Sequence, residues 1–403
     1  MTLTRERLLF DLYCAYYEAR RHKAKRSYVR QWAQNLKQNM EQLCDDLYYR
    51  RYKPLPSKCF IVNHPKKREI FAAMFRDRIV HHLYFMYTHE LFERTFIQDS
   101  YSCIKERGTH YGIQRITDFC RKESRNWQRP CYVLHLDIRG YFMHIVRQRL
   151  LEITLASLRK MATHRVPLAT VPSGFPLGCR PCWKDILDMD FAEWLTEVIV
   201  MLDPKEDCII CGDPSDWDGL DPSKSLLMLE DGLGLPIGNL TSQLFSNVYM
   251  NLLDQFVKRV LKCRYYGRYV DDAVLVSTDR KWLLSLVPQI RQFLWDELHL
   301  ELHMGKLEIS EVHQGAEFLG TFIKAWRNYP SNHSLERIED RLALLDLTNP
   351  AQALRSINSY LGIFQHTASY NIRRRLFMKA EFLRLGVFDE GFTKITDKQV
   401  FHF

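Results

Sequence analysis

Residues 268–277 place two adjacent carboxylates, Asp271 and Asp272, between two short apolar runs. Val, Tyr and Leu dominate these flanks, and such residues favour strands over helices. The simplest local structure is therefore a hairpin with both aspartates at its turn. Two neighbouring negative charges are unfavourable in a buried hairpin, and a divalent cation with oxygen ligands, such as Mg²⁺, is their usual compensation. The alternative at this point is a solvated turn between surface strands.

A further carboxylate, Asp137, follows the apolar run at residues 132–136. An aspartate at the end of a buried strand is a natural metal ligand. It is the partner that the pair at residues 271–272 needs for a two-metal site.

The composition allows a large core and a polyanionic partner. The chain has 403 residues, 46% of them hydrophobic, which suggests roughly two to four structural units. Lys and Arg number 57 against 48 Asp and Glu, a net charge of +9 that is compatible with nucleic acid. Eleven irregularly spaced cysteines favour a reducing, cytoplasmic setting. No signal-peptide-like run and no apolar stretch of about 18 residues occurs, so we expect no membrane span.

Most of the remaining chain has apolar residues at helical spacing. Helices are predicted over residues 3 to about 50, 75–92, 111–122, 147–160, 183–200, 244–261, 282–297 and 334–385. Shorter alternating runs predict strands. They lie at residues 58–62 and 69–72, joined by the basic segment 63–68, and at 298–303 and 315–323.

Residues 165–235 are rich in Pro, Gly and Asp and follow no regular pattern. They contain two Cys-x-x-Cys pairs, Cys179 with Cys182 and Cys208 with Cys211, and two such pairs can form a tetrahedral zinc site. The 25 residues between the pairs exceed the usual spacing, so ordinary free cysteines are the alternative.

Five motifs occur in the order that is typical of reverse transcriptases, and the chain resembles that family from about residue 5 to residue 385. They are Leu-Asp-Ile-Arg-Gly-Tyr-Phe at 136–142, Gly-Leu-Pro-Ile-Gly-Asn-Leu-Thr-Ser-Gln at 234–243, Tyr-Val-Asp-Asp at 269–272, the strand ending at Lys306, and Phe-Leu-Gly at 318–320. The ordered set is far more specific than any one motif, and it overturns the solvated-turn alternative for residues 271–272.

The resemblance implies an α+β fold of the right-hand polymerase type. Such a hand has fingers, a palm with an antiparallel sheet and a helical thumb. The implied divisions are an N-terminal helical extension at 1–55, fingers at 56–130, a palm at 131–327 that includes the insertion at about 165–235, and a thumb at 328–403.

The resemblance also implies a site for two Mg²⁺ ions. Asp137, Asp271 and Asp272 match the three catalytic carboxylates, and Ile138 is counted with them as a metal ligand. One ion activates the primer 3′-hydroxyl and the other neutralises the leaving pyrophosphate. Lys306 matches the lysine that protonates or neutralises that pyrophosphate.

Other motif residues match the family's substrate contacts. Those implied to bind the incoming nucleotide are Lys66, Lys67, Arg68, Arg139, Gly140, Tyr141, Phe142 and Gln243. Those implied to contact the template and to influence copying fidelity are Ile237, Gly238, Ser242 and Gln243. The implied primer grip is Phe318, Leu319 and Gly320. Among these, Phe142 matches the bulky gate that collides with a ribose 2′-hydroxyl.

The second motif departs from the commonest form of the family. Many reverse transcriptases have Pro-Gln-Gly and then Ser-Pro, whereas here Ile237 follows the proline and Gln243 follows Ser242. This form resembles the reverse transcriptases of diversity-generating retroelements. The resemblance implies error-prone copying at template adenines, a template RNA, an RNA/DNA heteroduplex, dNTPs, a small helical accessory oligomer and a bacterial or phage origin. We hypothesise that Ile237 loosens the template pair and lowers discrimination by a kilocalorie or two at most.

Two alternatives stay open from the sequence. One is a bacterial reverse transcriptase of the phage-defence or intron type, since these share parts of the pattern. The other is an inactive RNA-binding scaffold, against which the intact set of three aspartates argues.

Overall fold

The computed structural model describes residues 2–63, 66–167, 170 and 180–397. The chain divides into two compact units. Unit 1 comprises Met1–Ile104, Ile138–Lys262 and Pro288–Leu302, and unit 2 comprises Lys105–Asp137, Cys263–Val287 and His303–Phe403. The predicted four-part division stays a prediction.

Helices make up most of the described chain. In chain order they are α1 Arg5–Arg20, α2 Ser27–Gln34, α3 Leu36–Tyr48, α4 Phe75–Glu93, α5 Thr109–Glu123, α6 Tyr141–His144, α7 Arg147–Ala162, α8 Trp183–Ile186, α9 Met189–Val200, α10 Leu240–Gln255, α11 Arg280–Leu298, α12 Asn332–Ala343, α13 Pro350–Phe364, α14 Tyr370–Phe377 and α15 Ala380–Leu385. A π-helical turn, Phe256–Val260, follows α10.

The strands are short. In chain order they are β1 Lys58–Val62, β2 Arg68–Ala72, β3 Tyr132–Leu136, β4 Ile209–Ile210, β5 Tyr265–Tyr269, β6 Asp272–Ser277, β7 Glu308–Glu311, β8 Ala316–Phe318, β9 Thr321–Lys324, β10 Arg327–Pro330, β11 Gly386–Phe388 and β12 Ile395–Asp397. Helices and antiparallel sheet together confirm the α+β prediction.

The predicted N-terminal helices of unit 1 are confirmed. Leu8, Leu12 and Ala15 recur on one face of α1, and all three are fully buried against α3 and α4. The Thr4 hydroxyl caps α1 by accepting a hydrogen bond from the Arg7 backbone N–H, as is typical of a helix start. The apolar spacing therefore determines which face of α1 enters the core.

The predicted hairpin of unit 1 is confirmed as β1 and β2, which pair in antiparallel register from Lys58–Ala72 to Val62–Arg68. A third strand, β4, was not predicted. It pairs in parallel with β1 and comes from the Pro- and Gly-rich region.

The Glu69 carboxylate fixes that same region to the hairpin. This side chain lies on β2 and its residue is 1% exposed. It accepts hydrogen bonds from Trp217 Nε1 at 2.8 Å, from Ser225 Oγ at 2.8 Å and from the Leu226 backbone N–H at 2.6 Å. A buried charge is tolerated where donors surround it, so Glu69 anchors the segment around residues 217–227.

Unit 2 contains a four-stranded antiparallel sheet in the order β5–β6–β3–β7. The helix α5 packs against β5 and β6. The predicted strand pair at 315–323 is confirmed as β8 and β9, and β10 extends it.

The helices α12 to α15 enclose a separate apolar cluster of unit 2. Its buried members include Ile338, Ile357, Leu361, Phe364 and Phe377. The helical prediction for residues 334–385 is therefore confirmed in outline.

The predicted strand at residues 298–303 is wrong. The helix α11 continues to Leu298, the Leu300 backbone N–H bonds back to the Leu294 carbonyl, and His299 takes a left-handed conformation with φ of 51°. This closing turn uses the backbone groups that a strand would have paired. One isolated bridge, between Ile138 and Leu302, is all that remains of the alternation in this described segment.

Candidate active site

The register of the unit 2 sheet brings three predicted residues to one end. Leu136 pairs with Ala273 on β6, so the next residue, Asp137, lies opposite Asp272. His135 pairs with Glu308 on β7, so the same register carried two residues further sets Lys306 beside Asp137. Residues that lie far apart in sequence therefore converge because β3 lies between β6 and β7.

Asp271 occupies the two-residue turn between β5 and β6, where the Tyr269–Asp272 pair closes the hairpin. Its neighbour Val270 has φ of 57°, a conformation that is rare for a β-branched residue. The Arg268 side chain is fully buried beneath the turn, and its Nη1 donates to the Val270 carbonyl at 2.7 Å. This bond fixes the strained turn and thereby the position of Asp271.

The Asp271 carboxyl lies in an environment that resists ionisation. Burial, the charge of Asp272 and the charge of Asp137 raise its pKa from 3.8 to about 6, although Lys306 acts in the opposite direction. When neighbouring negative charges and burial raise the pKa of a carboxyl group in this way, an added cation stabilises its ionised form. The turn therefore has the electrostatic character of a cation site.

Lys306 forms an ion pair with Asp137. Its Nζ lies 2.8 Å from Asp137 Oδ2, and the two side chains are 55% and 14% exposed. The Asp137 backbone carbonyl accepts a hydrogen bond from the His303 N–H at 2.8 Å, and the Lys306 N–H donates to the His303 carbonyl at 2.9 Å. Asp137 thus contacts both the side chain of Lys306 and the turn that carries it.

His135 belongs to this group and was missed from the sequence. Its Nε2 lies 3.5 Å from Asp272 Oδ1. Burial lowers the pKa of His135, but the hydrogen bond and charge of Asp272, with the charges of Asp137 and Glu308, outweigh burial and raise it. The available signal was a polar residue in the apolar run 132–136, two positions before Asp137 and hence on the same face of the strand.

The donor chemistry of this group fits Mg²⁺. Three carboxylates supply hard oxygen ligands, and burial together with the charges of Asp272 and Asp137 raises the pKa of Asp271. In the described residues, no three His, Cys, Asp or Glu side chains already stand in metal-ligand positions. One carboxylate oxygen of Asp137 is instead held by Lys306. The assignment of Asp137, Asp271, Asp272 and Ile138 as metal ligands stays a prediction.

In unit 1, the motif after Asp137 packs against the second motif. The backbone N–H of Leu235 donates to the Phe142 carbonyl at 2.9 Å, and that of Gly234 donates to the Ile145 carbonyl at 2.8 Å. Gly140 precedes α6 with φ of 53°, and a Cβ there would lie 2.7 Å from the His144 ring. The positive φ and the nearby ring together favour glycine at this position. The Tyr141 hydroxyl donates to the Ser246 carbonyl at 2.7 Å.

The second motif also contacts the unit 1 hairpin. The Phe71 N–H donates to the Ile237 carbonyl at 3.1 Å, and the Ile237 side chain packs on the apolar cluster that contains Cys59, Phe71 and Met143. Gly238 has φ of 122°, and a Cβ there would lie 3.0 Å from Ile70 Cγ2. Thus Ile237 has a packing role that sequence reasoning missed.

The polar residues of the second motif differ in exposure. Ser242 is buried in the first turn of α10, whereas Gln243 is exposed. Only Gln243 of the two presents its side chain to solvent, and the predicted contacts of both stay predictions.

Lys66, Lys67 and Arg68, which are predicted to bind the triphosphate, lie at the turn end of the unit 1 hairpin, just before and at the start of β2. Lys66 and Arg68 are exposed, whereas Lys67 Nζ donates to the Asp218 carbonyl at 2.6 Å. Arg139 is exposed and its Nη1 lies 3.6 Å from Glu301 Oε2. The roles of these cations stay predictions.

The predicted primer grip forms the turn between β8 and β9 in unit 2. Phe318 is buried, whereas Leu319 and Gly320 both have positive φ, at 50° and 75°. The Gly320 carbonyl accepts hydrogen bonds from the Ser331 N–H and from Ser334 Oγ, which join the turn to the start of α12.

The zinc hypothesis gains no support from the described cysteines. Cys179 lies outside the described residues, and the others form no metal-ligand group there. Cys208 instead lies beside Cys59, whose thiol pKa burial raises to about 12. Burial also raises the pKa of the Cys208 thiol, which makes this thiol a poorer metal ligand.

The chain matches no protein-family model and no curated protein. Among solved structures it is similar to telomerase from Candida albicans in complex with a TWJ fragment of telomeric RNA, at 11% identity and TM-score 0.47, over 83% of this chain and 55% of that one. It is also similar to apo telomerase from Candida tropicalis, at 11% identity and TM-score 0.47, over 83% and 57%.

A truncated form of the Candida tropicalis protein, lacking its C-terminal domain, gives 9% identity and TM-score 0.46 over 68% of this chain and 55% of that one. The chain thus spans little more than half the length of these structures. All these TM-scores lie below 0.5, so the functional proposal depends on the residues of the site. None of the described helices combines the length and the apolar composition that spanning a membrane requires.

Proposed function

We propose that the chain is an RNA-templated DNA polymerase, a reverse transcriptase that extends a primer by nucleotidyl transfer. One observation carries the proposal: Asp137, Asp272 and Lys306 converge at one end of the unit 2 sheet, beside the turn that holds Asp271. The motifs around these residues follow the order typical of reverse transcriptases. In this proposal the sheet is the palm of a right-hand polymerase, and the hairpin β1–β2 belongs to the fingers.

Each residue of the group has a distinct part in the reaction. Asp137, Asp271 and Asp272 would hold two Mg²⁺ ions, whose charge would favour ionisation of the primer 3′-hydroxyl and would offset that of the leaving pyrophosphate. Lys306 holds its ammonium beside Asp137, where it meets the negative charge of the triphosphate. His135 orients Asp272 through the contact between Nε2 and Oδ1. These residues align the reactants and stabilise the charge that develops during transfer.

We further propose that the enzyme is error-prone at template adenines and serves a diversity-generating retroelement. Ile237 and the Ser242–Gln243 pair support this subtype, since they replace the commoner residues of the second motif. The partners would then be a template RNA, the RNA/DNA heteroduplex, dNTPs and a small helical accessory oligomer.

Primer extension tests the polymerase proposal. The chain is incubated with a primed RNA template, dNTPs and Mg²⁺, and the labelled primer is resolved by length. We expect extension that chelation abolishes and that Asp271→Ala lowers by about a thousandfold or more. Asp296→Ala is the matched control because Asp296 is an exposed aspartate on α11.

Two results would contradict the proposal. Extension that persists under chelation would contradict the metal assignment, and equal activity of Asp271→Ala and Asp296→Ala would contradict the assignment of the active site.

For the proposed subtype, the DNA that flanks the gene should contain two near-identical repeats that differ at adenines. Flanking DNA without such a repeat favours a phage-defence or intron-type reverse transcriptase.

A further inference from the structure

A cleft of about 350 Å³ lies in unit 2 between the end of α5, the loop that follows it and the hairpin β9–β10. We call it the tryptophan cleft. The lining residues that matter here are Asp118, Arg121, Trp127, Trp326, Arg327 and Asn328. The cleft is formed at the β9–β10 turn, whereas the predicted primer grip lies at the opposite end of β9. None of the residues that line the cleft belongs to the candidate active site.

The most informative residue of the cleft is Trp326. It is 75% exposed, and it occupies the two-residue turn between Lys324 and Arg327 with φ of 71°. Glycine or asparagine suits that conformation, whereas a bulky side chain is strained in it. A strained backbone and a largely exposed indole are together unusual for a residue that serves only the fold, which points to a ligand for the ring.

The rest of the cleft supports the Trp326 ring from below. Trp127 is nearly buried, and its ring centroid lies 6.3 Å from that of Trp326 at an interplanar angle of 55°. Arg125, Asn126 and Trp127 form an unusual run of three left-handed residues, with φ of 51°, 56° and 67°. Ser124 Oγ fixes that run by accepting the Trp127 backbone N–H at 2.9 Å.

The polar atoms of the cleft suit an anionic ligand with hydrogen-bonding edges. Arg121 is 52% exposed and donates one hydrogen bond to Asp118, at 3.1 Å, so further N–H groups of its guanidinium face solvent. Arg327 is exposed and, among the described residues, has no ion pair. Asn328 donates through Nδ2 to Thr117 Oγ1, while its buried Oδ1 has no hydrogen-bond partner within the described part of the chain.

From this geometry we infer that the tryptophan cleft binds single-stranded nucleic acid, with one base stacked on Trp326 and the adjoining phosphates held by Arg121 and Arg327. Aromatic stacking combined with nearby cations is the usual means by which proteins bind unpaired strands. Guanidinium groups match phosphate oxygens in geometry. The inference stands whether or not the chain polymerises.

The first test measures binding of a six-nucleotide, fluorescein-labelled oligonucleotide to the full chain by anisotropy, with RNA and DNA versions in parallel. Trp326→Asn removes the ring and suits the left-handed turn, so we expect an unchanged or higher melting temperature and an affinity about tenfold weaker. Trp326→Phe should keep most of the affinity. Trp295→Ala is the matched control, since Trp295 is 56% exposed on α11 outside the cleft.

The Arg327→Gln variant tests the phosphate contact separately. We expect the slope of log affinity against log salt to fall by about one unit. A hexamer that contains 5-bromouridine should crosslink to Trp326 on irradiation, and mass spectrometry can map the attachment site.

The proposal is overturned if Trp326→Asn binds both hexamers as tightly as Trp295→Ala does. It is also overturned if Trp326→Asn weakens the binding of a blunt duplex as much as the binding of a single strand, because the bases of a duplex are not available for stacking. A loss of affinity for the RNA hexamer alone supports a site that contacts the ribose as well as the base. The Asp271→Ala chain should bind the hexamers normally, so the cleft and the polymerase proposal can fail independently.

Discussion

Two carboxylates of this chain are placed in opposite ways. Glu69 in unit 1 is 1% exposed and accepts hydrogen bonds from an indole, a hydroxyl and backbone amides. Asp271 in unit 2 faces two further aspartates, which together with burial raise its pKa to about 6. The first group has its donors supplied by the fold, whereas the second is arranged so that an added cation stabilises it. Buried charge alone therefore does not identify a functional carboxylate; the supply of donors around it does.

The largest expected effect on stability concerns Glu69. Replacement by alanine leaves the Trp217 N–H, the Ser225 hydroxyl and the Leu226 N–H without their acceptor. We expect Glu69→Ala to lower the free energy of unfolding by about 3 kcal/mol or more, as measured by urea denaturation.

The control for Glu69→Ala is Glu230→Ala, which removes an exposed carboxylate from the same region of the sequence. It should change stability by about 0.5 kcal/mol at most. Equal losses in the two variants would mean that the donors around Glu69 contribute nothing to stability.

The opposite sign is expected for Asp271→Asn in the absence of metal. The folded-state pKa of Asp271 is raised to about 6, so the native protein holds its proton more tightly than the unfolded chain does. Its contribution to stability is complete below the unfolded pKa near 4 and is lost as the pH rises through about 6. At pH 7.5 the asparagine variant should therefore be more stable by about 1–3 kcal/mol.

Urea denaturation in the presence of a chelator, at pH 4, 5, 6 and 7.5, measures this difference. The advantage of Asp271→Asn should vanish at about pH 4. Added Mg²⁺ should raise the stability of the parent chain more than that of the variant. A difference that is constant across the pH range would show that ionisation of Asp271 is not its cause.

These two regions also differ in how far the sequence predicts them. The carboxylate group of unit 2 was predicted because each of its members ends or begins a strand with a clear apolar run, and the register then sets Asp137 opposite Asp272. His135 was missed because a single polar residue in such a run carries no sign of its partner across the sheet.

The Glu69 region was not predictable in the same way. The strand β4 has two residues and its pairing with β1 joins segments about 150 positions apart, which no local periodicity encodes. In the sequence, Arg268 is likewise only one of many cations in a basic chain. The fold nevertheless buries its side chain completely beneath the turn at Val270. Long-range partners decide the role of such charges.

His135 offers a smaller test of the Asp272 environment. Its contact with Asp272 raises the pKa of the imidazole, so the protonated ring persists to higher pH and competes with Mg²⁺ for that carboxylate. We expect the Mg²⁺ concentration that gives half-maximal primer extension to rise severalfold between pH 8 and pH 6.

In His135→Gln that rise should be smaller by about threefold, because glutamine carries no charge at either pH. His313→Gln is the matched control, since His313 lies near the other end of the same sheet, beside Glu311. A Mg²⁺ requirement that changes equally with pH in both variants would remove His135 from the site.

A further expected effect concerns fidelity and residue Ile237. Ile237→Gln should lower the error frequency at template adenines by up to about tenfold, if a polar side chain restores discrimination worth a kilocalorie or two. The structure adds a second consequence, because the Ile237 side chain packs on the cluster around Phe71 and Met143 and glutamine weakens that packing.

Ile237→Met keeps the apolar contact without the amide, so it should lower neither fidelity nor stability appreciably. Sequencing of cDNA pools from the three chains separates the two roles. If Gln and Met change the error frequency alike, Ile237 acts through the packing of unit 1, and the infidelity must arise from other residues of the second motif.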